Sequence, residues 1–427
     1  MSLIVLYSIL GGHLLISFIY ALFIYLSSRK YYRPCIVMDK DNNPIDLHKK
    51  YDAFHPHDKL CFIQLWVGAF FCAPIKAISS FSLIFLLSLH IRLYMKIYKD
   101  YDTNPLHRKK LKGIISCYSY IVLLMNGVIR KRRYVEYEEV YKKYLGEDYN
   151  FEDDKYSVII SNHIGFFDIV LITSLYAPGF VARKTIKDVV LIGAIARSLK
   201  CILIDREDPN SRKNVFDSIL EWQNSFYNET TLAPLALFPE GGNSCGRNIM
   251  TFKKGAFFAL LPVKPNIITI DQSSSFHLTV GGSNEILHFF KNFCHFINTL
   301  YYAVLPTIRP TDYMFENYKH LGNEKWEIYA NVVRKIYSEV GGLEEVNQGF
   351  RDKTIYMKAM HGIYDPNYGS NNVEKKEEKE NEQDNNDNER DSNEKEIDNN
   401  ENESDNNENK NEEDSNSEAL KVNLITK

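Results

Sequence analysis

The sequence lacks paired cysteines. Its seven cysteines are scattered along 427 residues, and none belongs to a CxxC pair. This spacing argues against a disulfide framework or a structural zinc site and is typical of a reducing compartment. Calcium-loop spacing and base-reading motifs are also missing. The sequence therefore predicts no metal site and no nucleic-acid partner.

A strong net charge is missing as well, since the whole chain carries −4. The segment from Asn371 to Lys427 holds 20 acidic and 8 basic residues, a net of −12, so residues 1–370 carry +8. A mildly basic body suits anionic lipid surfaces or phosphate-bearing ligands. The acidic tail has low complexity and no aromatic residues, so we expect it to be disordered.

Long apolar runs are present near the N-terminus. Leu3 to Leu26 is almost unbroken apolar sequence, about the length that spans a bilayer. A cleaved signal peptide is the alternative, but a basic n-region and a small-x-small cleavage site are absent. Arg29, Lys30 and Arg33 follow the run and, by the positive-inside rule, keep the downstream chain cytosolic. We therefore predict a retained membrane anchor.

Two further apolar stretches follow. Leu60 to Ile91 is interrupted by Pro74 and Lys76, which favours a re-entrant or membrane-embedded helical hairpin, with a straight span in which Lys76 faces protein as the alternative. Leu111 to Ile129 precedes four basic residues, 130–133. We predict that this third stretch lies in the interface plane, with the basic cluster against anionic headgroups.

From Lys155 to about Asn266, short apolar runs alternate with helical segments, which predicts an α/β domain with a mixed sheet flanked by helices. The strand candidates are Tyr156–Ile160, Gly179–Ala182, Cys201–Ile204, Leu235–Phe238 and Ile267–Ile270. The helix candidates are Ile169–Leu175, Leu191–Leu199, Arg212–Asn224, Ala256–Leu260 and Lys325–Val340. The predicted organisation is a membrane-anchoring region (1–133), a catalytic domain (134–345), a connector (346–370) and the disordered tail (371–427).

Polar residues stand where the first predicted strand ends, in Asn162-His163-x4-Asp168. Catalytic groups in α/β folds tend to lie at strand ends. A regular helix would splay residues five apart, but a turn at Gly165 would bring His163 and Asp168 together. A carboxylate on one imidazole nitrogen fixes the tautomer and leaves the other nitrogen to take a proton. We predict that His163 is a general base and that Asp168 orients it, although a core histidine has the same pattern.

Three more motifs occupy strand ends or turns. Ile204-Asp205-Arg206 ends a strand in an arginine, which is either a surface ion-pair residue or a bidentate phosphate ligand. Phe238-Pro239-Glu240-Gly241-Gly242 leads a strand into a turn whose backbone amides can approach an anion. Pro262-Val263-Lys264-Pro265 lines an apolar pocket or begins a strand.

The order and spacing of these four motifs resemble the glycerolipid acyltransferase family that shares the NHx4D and FPEG blocks. The resemblance extends over roughly residues 110–340 and is strongest to the branch of lysophosphatidylcholine and 1-acylglycerol-3-phosphate acyltransferases. The sequence departs from the family pattern at Ile164-Gly165, which replace a small polar residue. It departs again at Gly242, where a threonine is usual.

The resemblance implies an enzyme in which His163 deprotonates a free glycerol hydroxyl of a lysophospholipid, either lysophosphatidic acid or lysophosphatidylcholine. The alkoxide would attack the thioester of acyl-CoA, which is a co-substrate, and no bound cofactor is implied. Substrate contacts would come from Asn162, from Arg206, Glu240 and Gly241 at the acceptor phosphate, and from Lys253 and Lys254 at the CoA phosphates. Because a carboxylate does not attract phosphate directly, Glu240 would act by ordering the loop or a basic neighbour.

The same resemblance implies membrane lipids as partners and a place in the endoplasmic reticulum membrane, with the catalytic domain in the cytosol. Two alternatives remain open. The acceptor is glycerol-3-phosphate instead of a lysophospholipid, or the protein is an inactive membrane scaffold that binds lipid.

Overall fold

A computed structural model describes residues 3–39, 41–151, 155–205, 211–228 and 232–364. Met1–Val37 and Pro44–Ile363 form one compact unit, which contains every element given below except the last residue of the first strand, Met38. Met38–Asn43 and Tyr364–Lys427 are grouped into a second unit. The described part of the second unit holds a tight turn with Asn42 in the left-handed region, at φ 60°. The predicted disordered tail lies outside the described residues.

Thirteen α-helices occur in the described ranges. Their bounds are α1 (Leu3–Ser28), α2 (Leu47–Lys50), α3 (Phe62–Phe71), α4 (Ala73–Ile97), α5 (Pro105–Met125), α6 (Glu138–Leu145), α7 (Phe166–Tyr176), α8 (Gly193–Ser198), α9 (Ser211–Asn228), α10 (Glu285–Asn292), α11 (Asp312–Asn317), α12 (Lys325–Gly341) and α13 (Phe350–Ala359).

Eleven strands occur in the same ranges. Their bounds are β1 (Ile36–Met38), β2 (Pro44–Asp46), β3 (Val128–Arg132), β4 (Val158–Ser161), β5 (Gly179–Arg183), β6 (Ile202–Ile204), β7 (Leu235–Leu237), β8 (Asn248–Ile249), β9 (Val263–Ile270), β10 (Asn298–Val304) and β11 (Glu344–Glu345).

Seven strands form one mixed sheet in the order β3-β10-β9-β4-β7-β5-β6. All neighbouring strands run parallel except β9 and β10, which are antiparallel. β4 is central, and its residues Val158, Ile159 and Ile160 are completely buried, as expected of a strand covered on both faces. The predicted mixed sheet flanked by helices is confirmed.

Two apolar clusters hold the helices to this sheet. One joins residues of α6 and α12 to β4 and β9, with Tyr141, Tyr329 and Tyr337 fully buried. The other joins α5 and α7 to the sheet through residues such as Leu123 and Leu171. Burial of each large side chain of this kind contributes roughly 1.5–3 kcal/mol. The site described below therefore rests on a well-packed support.

Most predicted elements of the α/β region are present, and the exceptions have clear causes. All five predicted strands exist, and β9 begins earlier, at Val263. The predicted helix Ala256–Leu260 is wrong, because only a short 3-10 turn, Lys254–Ala256, forms there. β3 and β10 were not predicted. The sheet thus begins within the predicted membrane-anchoring region, and α13 occupies the predicted connector.

In the part of the chain that the structure describes, two helical segments are long and apolar enough to cross a membrane, Tyr7–Tyr32 and Ala73–Ile97. The predicted interruption of the second apolar stretch is present, since α3 ends at Phe71 and α4 begins at Ala73. His13 of α1 contacts the carbonyl oxygen of Phe70 through Nε2 at 2.8 Å. Lys76 faces protein and donates hydrogen bonds to the carbonyl oxygens of His295 and Phe296.

The third apolar stretch does not lie free in an interface plane. α5 packs against α4 and α7, and its residues Leu111 and Ile115 are buried. The basic cluster that follows it belongs largely to β3. Arg130 donates to the hydroxyl of Ser174 at 2.8 Å, and Arg133 lies 3.9 Å from the ring centre of Tyr301. Both arginines therefore make contacts within the protein, which leaves them less available to anionic headgroups.

A buried ion pair joins the loop before α3 to α10. Lys291 donates to Asp58 Oδ2 and to the hydroxyl of Tyr32, both at 2.7 Å, and Tyr32 donates to Asp58 Oδ1 at 2.7 Å. Burial alone would raise the pKa of Asp58, but the Lys291 ammonium and these hydrogen bonds lower it to about 2. The pair is therefore ionised at neutral pH.

We expect Asp58→Ala to lower the free energy of unfolding by roughly 3–5 kcal/mol, because it leaves the Lys291 ammonium buried and unpaired. Thermal unfolding in detergent measures the effect. The double variant Asp58→Asn/Lys291→Met should recover much of the loss, since it removes both charges. A double variant no more stable than Asp58→Ala would contradict this account.

Candidate active site

The candidate site lies in the turn that joins the central strand β4 to α7. Asn162 is the first residue of this turn and is fully buried. Its Nδ2 donates to the carbonyl oxygen of Ile268 and its Oδ1 accepts the amide of Ile268, both at 2.8 Å. Asn162 therefore ties the end of β4 to β9. Both polar atoms of its side chain are engaged by Ile268, and its predicted role in substrate binding stays a prediction.

The turn brings the predicted histidine and aspartate together. His163 Nδ1 lies 2.8 Å from Asp168 Oδ2. The same oxygen accepts the amides of Ile164 at 2.6 Å and Gly165 at 2.9 Å. Asp168 is fully buried in the first turn of α7, where the helix dipole favours a negative charge. The departures at Ile164 and Gly165 thus belong to the turn that positions Asp168.

The imidazole of His163 is held on two sides. Its Nδ1 is engaged by Asp168, and its ring stacks on Phe238 with ring centres 4.2 Å apart. The side chain is 19% exposed, and Nε2 makes no hydrogen bond to any residue of the described ranges. A carboxylate acceptor at Nδ1 places the ring proton there and leaves Nε2 as the basic nitrogen. The arrangement suits proton abstraction by Nε2.

Glu240 binds the main chain of this histidine. Its side chain is completely buried, with Oε1 accepting the amide of His163 at 2.8 Å and Oε2 accepting the amide of Met250 at 3.0 Å. Burial raises the pKa of Glu240 to about 7, while the two amides act in the opposite direction. Both carboxylate oxygens are engaged by backbone amides, which suits a residue that orders the loop. Its predicted place at the acceptor phosphate stays a prediction.

Gly241 and Gly242 form a backbone turn beside Glu240, in which Gly241 is exposed and Gly242 is buried. Gly241 has φ +71°, which favours glycine, and its amide donates to the carbonyl oxygen of Phe238 at 3.0 Å. A Cβ on Gly241 would lie 2.5 Å from Lys253 Nζ, so the Lys253 side chain crosses this turn. Lys254 is oriented towards aromatic rings, with its ammonium 4.7 Å from the ring centre of Phe258.

Arg206 lies outside the described residues, so its predicted contact with phosphate stays a prediction. Its neighbour Asp205 pairs with Lys184 at 3.3 Å. Within the described ranges, no group of three or more His, Cys, Asp or Glu side chains has metal-binding geometry.

Two residues that hold the turn between β4 and α7 through backbone hydrogen bonds were missed by sequence reasoning. The amide of Ser244 donates to the carbonyl oxygen of His163, and the amide of Val280 donates to that of Ile164, both at 2.8 Å. These contacts use backbone atoms, which no side-chain pattern reports. The missed helix α13 also approaches this region.

We expect Gly165→Ala to reduce kcat by roughly ten- to a hundredfold, because small displacements of a positioned base are costly. An added Cβ would lie 2.8 Å from the carbonyl oxygen of Leu278 and 3.3 Å from a methyl carbon of Val280. The turn would have to move, and with it the amide that binds Asp168. Gly113→Ala in α5 is the matched control, since its Cβ would meet no atom within 4 Å. Equal rates for the two variants would contradict the steric argument.

Residues 140–272 match the model of a protein family described as Acyltransferase. This range is similar to an acyltransferase domain. The matched range contains His163, Asp168 and Glu240, so the turn described above lies inside the domain. The resemblance predicted from the four motifs is confirmed.

Several relatives of the acyltransferase domain are lysophospholipid enzymes. The chain is 30% identical over 220 residues to the lysophospholipid acyltransferase LPEAT1 of Arabidopsis thaliana, covering 51% of this chain and 52% of that protein. It is 26% identical over 204 residues to lysophosphatidylcholine acyltransferase 2 of Homo sapiens, covering 47% and 35%. The chain thus spans about half or less of the length of these relatives.

The crystal structure of the 1-acyl-sn-glycerophosphate (LPA) acyltransferase PlsC from Thermotoga maritima is also similar. It matches 61% of this chain and 97% of that chain, at 15% identity and a TM-score of 0.37.

Proposed function

We propose that this protein is an acyl-CoA-dependent O-acyltransferase that acylates the free glycerol hydroxyl of a lysophospholipid. The observation that carries the proposal is the contact between His163 and Asp168, at 2.8 Å, inside an acyltransferase domain. Relatives named as lysophospholipid and lysophosphatidylcholine acyltransferases support this class of acceptor.

In the proposed reaction, His163 Nε2 takes the proton of the glycerol hydroxyl as that oxygen attacks the thioester carbonyl carbon. The tetrahedral intermediate collapses, the carbon–sulfur bond breaks, and the proton passes from Nε2 to the departing sulfur. The products are the diacyl lipid and free CoA. Asp168 keeps the imidazole in the required tautomer and stabilises the imidazolium that forms.

Two helices support a site at the membrane surface. Only 17% of the most apolar window of Tyr7–Tyr32, and 28% of that of Ala73–Ile97, is buried in the protein. Apolar helix faces left uncovered in this way favour lipid as their surroundings. Both proposed substrates carry acyl chains that partition into a bilayer. The positive residues after α1 favour a cytosolic catalytic domain, and the endoplasmic reticulum is the membrane that we propose.

A screen of purified protein tests the proposal. Wild-type enzyme in detergent or nanodiscs is mixed with acyl-CoAs of different chain lengths and with lysophosphatidic acid, lysophosphatidylcholine or glycerol-3-phosphate. Release of free CoA thiol and formation of the acylated lipid are both measured, with His163→Ala as the blank.

We expect turnover with at least one lysophospholipid. Preference for glycerol-3-phosphate would establish the alternative acceptor. An absence of thiol release above the blank with every acceptor would reject the enzymatic proposal and favour a lipid-binding scaffold.

A further inference from the structure

The helix α13 packs onto the glycine turn beside the catalytic histidine. A Cβ on Gly242 would lie 3.2 Å from Cδ2 of Phe350 and 3.8 Å from Cδ of Lys353. Glycine at position 242 therefore leaves the room in which α13 sits. α13 begins at Phe350, well beyond the range 140–272 that matches the family model. It thus lies outside the matched range but packs against the candidate site.

Lys353 of α13 carries a buried ammonium group whose charge is poorly balanced by its neighbours. The residue is 3% exposed, and its Nζ makes no hydrogen bond with any residue in the described ranges. The nearest carboxylate is Glu285 Oε1, 4.0 Å away on a side chain that is itself 70% exposed. Buried charges are ordinarily paired and hydrogen-bonded, because their desolvation is costly. Burial lowers the pKa of Lys353 to about 8, and the Glu285 carboxylate offsets only part of this effect.

A second lysine lies on the same turn. Lys253 Nζ is 2.5 Å from the position that a Cβ on Gly241 would occupy. Its ammonium is also 5.8 Å from the ring centre of Phe350, so Lys253 and α13 flank one pair of glycines. Lysine ammonium groups beside a glycine turn form a typical binding site for phosphate.

The glycine turn is fixed to the catalytic histidine at both of its ends. Glu240 accepts the amide of His163 at 2.8 Å, and the amide of Ser244 donates to the carbonyl oxygen of His163 at 2.8 Å. An anion held at this turn would therefore keep a constant position relative to the base. In a lysophospholipid, the phosphate and the free glycerol hydroxyl are separated by only a few covalent bonds.

We propose that Lys353 binds a substrate phosphate at the Gly241–Gly242 turn and so determines which substrates the enzyme accepts. The inference rests on the proposed function. The phosphate belongs either to the lysophospholipid acceptor or to CoA, and the two sources are separated by the choice of substrate.

Lys353→Met tests the inference, since methionine keeps the length of the side chain and removes the charge. Lys358→Met, at an exposed position on the same helix, is the matched control. The acceptors are lysophosphatidic acid and the monoacylglycerol with the same acyl chain. The donors are an acyl-CoA and the corresponding acyl-pantetheine thioester, which has no phosphate.

We expect Lys353→Met to raise one KM by about ten- to a hundredfold, the usual loss for a charge-assisted phosphate contact, with little change in kcat. A higher KM for lysophosphatidic acid, with monoacylglycerol unaffected, would assign the acceptor phosphate. A higher KM for acyl-CoA, with the pantetheine thioester unaffected, would assign the CoA phosphates. An unchanged KM for both phosphate-bearing substrates would overturn the inference.

Thermal unfolding separates binding from a structural role. Lys353→Met should unfold at the same temperature as wild type or above it, because the substitution removes a poorly paired buried charge. A lower unfolding temperature with both KM values unchanged would show that Lys353 is structural.

A ligand-binding arm remains informative even if wild type transfers no acyl group. Either glycerol-3-phosphate or free CoA should raise the unfolding temperature of wild type and of Lys358→Met, but not that of Lys353→Met. An equal rise in all three proteins, or no rise in any of them with either ligand, would overturn the inference without reference to turnover.

Discussion

Replacing His163 by alanine is expected to lower kcat for acyl transfer by about 10²- to 10⁴-fold, the usual contribution of a positioned general base. The variant loses the nitrogen that takes the hydroxyl proton. The fold should survive, because the imidazole is partly exposed and Asp168 keeps the amides of Ile164 and Gly165 as donors. Turnover is measured as thiol release from acyl-CoA and folding as the unfolding temperature.

His320→Ala is the control for this experiment, because His320 is an exposed histidine near the start of α12. It should match wild type in both measurements. Retained turnover in folded His163→Ala would reject the base mechanism. Asp168→Asn should also be impaired, since an amide at this position no longer fixes the imidazole tautomer or stabilises the imidazolium.

The second large effect is expected at Glu240. Both of its carboxylate oxygens accept backbone amides, from His163 and Met250. In Glu240→Gln the side-chain NH2 must face one of those two amides, so a buried N–H loses its acceptor. The expected loss in the free energy of unfolding is roughly 1–3 kcal/mol. Activity should fall with it, because His163 is one of the two donors.

The pH dependence of this destabilisation follows from the sign of the pKa shift. The pKa of Glu240 rises from its ordinary 4.5 to about 7 in the folded protein, chiefly through burial. Below pH 4.5 the carboxyl is protonated in both states. As the pH rises to about 7, ionisation favours the unfolded chain, so the wild type loses stability over this window.

Glu240→Gln has no such titration, so its disadvantage relative to wild type should shrink between pH 4.5 and 7. Chemical denaturation of both proteins across this range measures the difference. Glu316→Gln, at an exposed position of α11, is the control and should show no change in slope. A gap that widens with pH would contradict the assigned shift.

Sequence patterns predicted the pair of His163 and Asp168, but not the contacts that hold this pair in place. Short apolar runs predicted β4, β5, β6 and β7, because buried parallel strands carry little else. The pairing of His163 with Asp168 could be predicted, because a general base and its orienting carboxylate require those two types of side chain. The contacts of Asn162 with Ile268 of β9 could not be predicted, because cross-strand contacts depend on a sheet order that a single sequence does not reveal.

Other elements escaped prediction for physical reasons. β10 contains Tyr301 and Tyr302 in a run that has no clear alternation, and its partner β3 is rich in arginine and lysine. The sequence showed that Gly242 departs from the family pattern, but it did not show the reason for this departure. The packing of α13 against that glycine joins residues more than a hundred positions apart.

β4 is the middle strand of the seven-stranded sheet. This location has a consequence for how the substrate preference of such an enzyme can change. The proposed proton transfer takes place at the centre of the sheet, where three strands on each side resist displacement. Lys253 and Lys353 approach the same turn from the periphery, on separate elements. Acceptor preference can therefore be altered at the periphery, by design or by natural drift, while the geometry of the base stays unchanged.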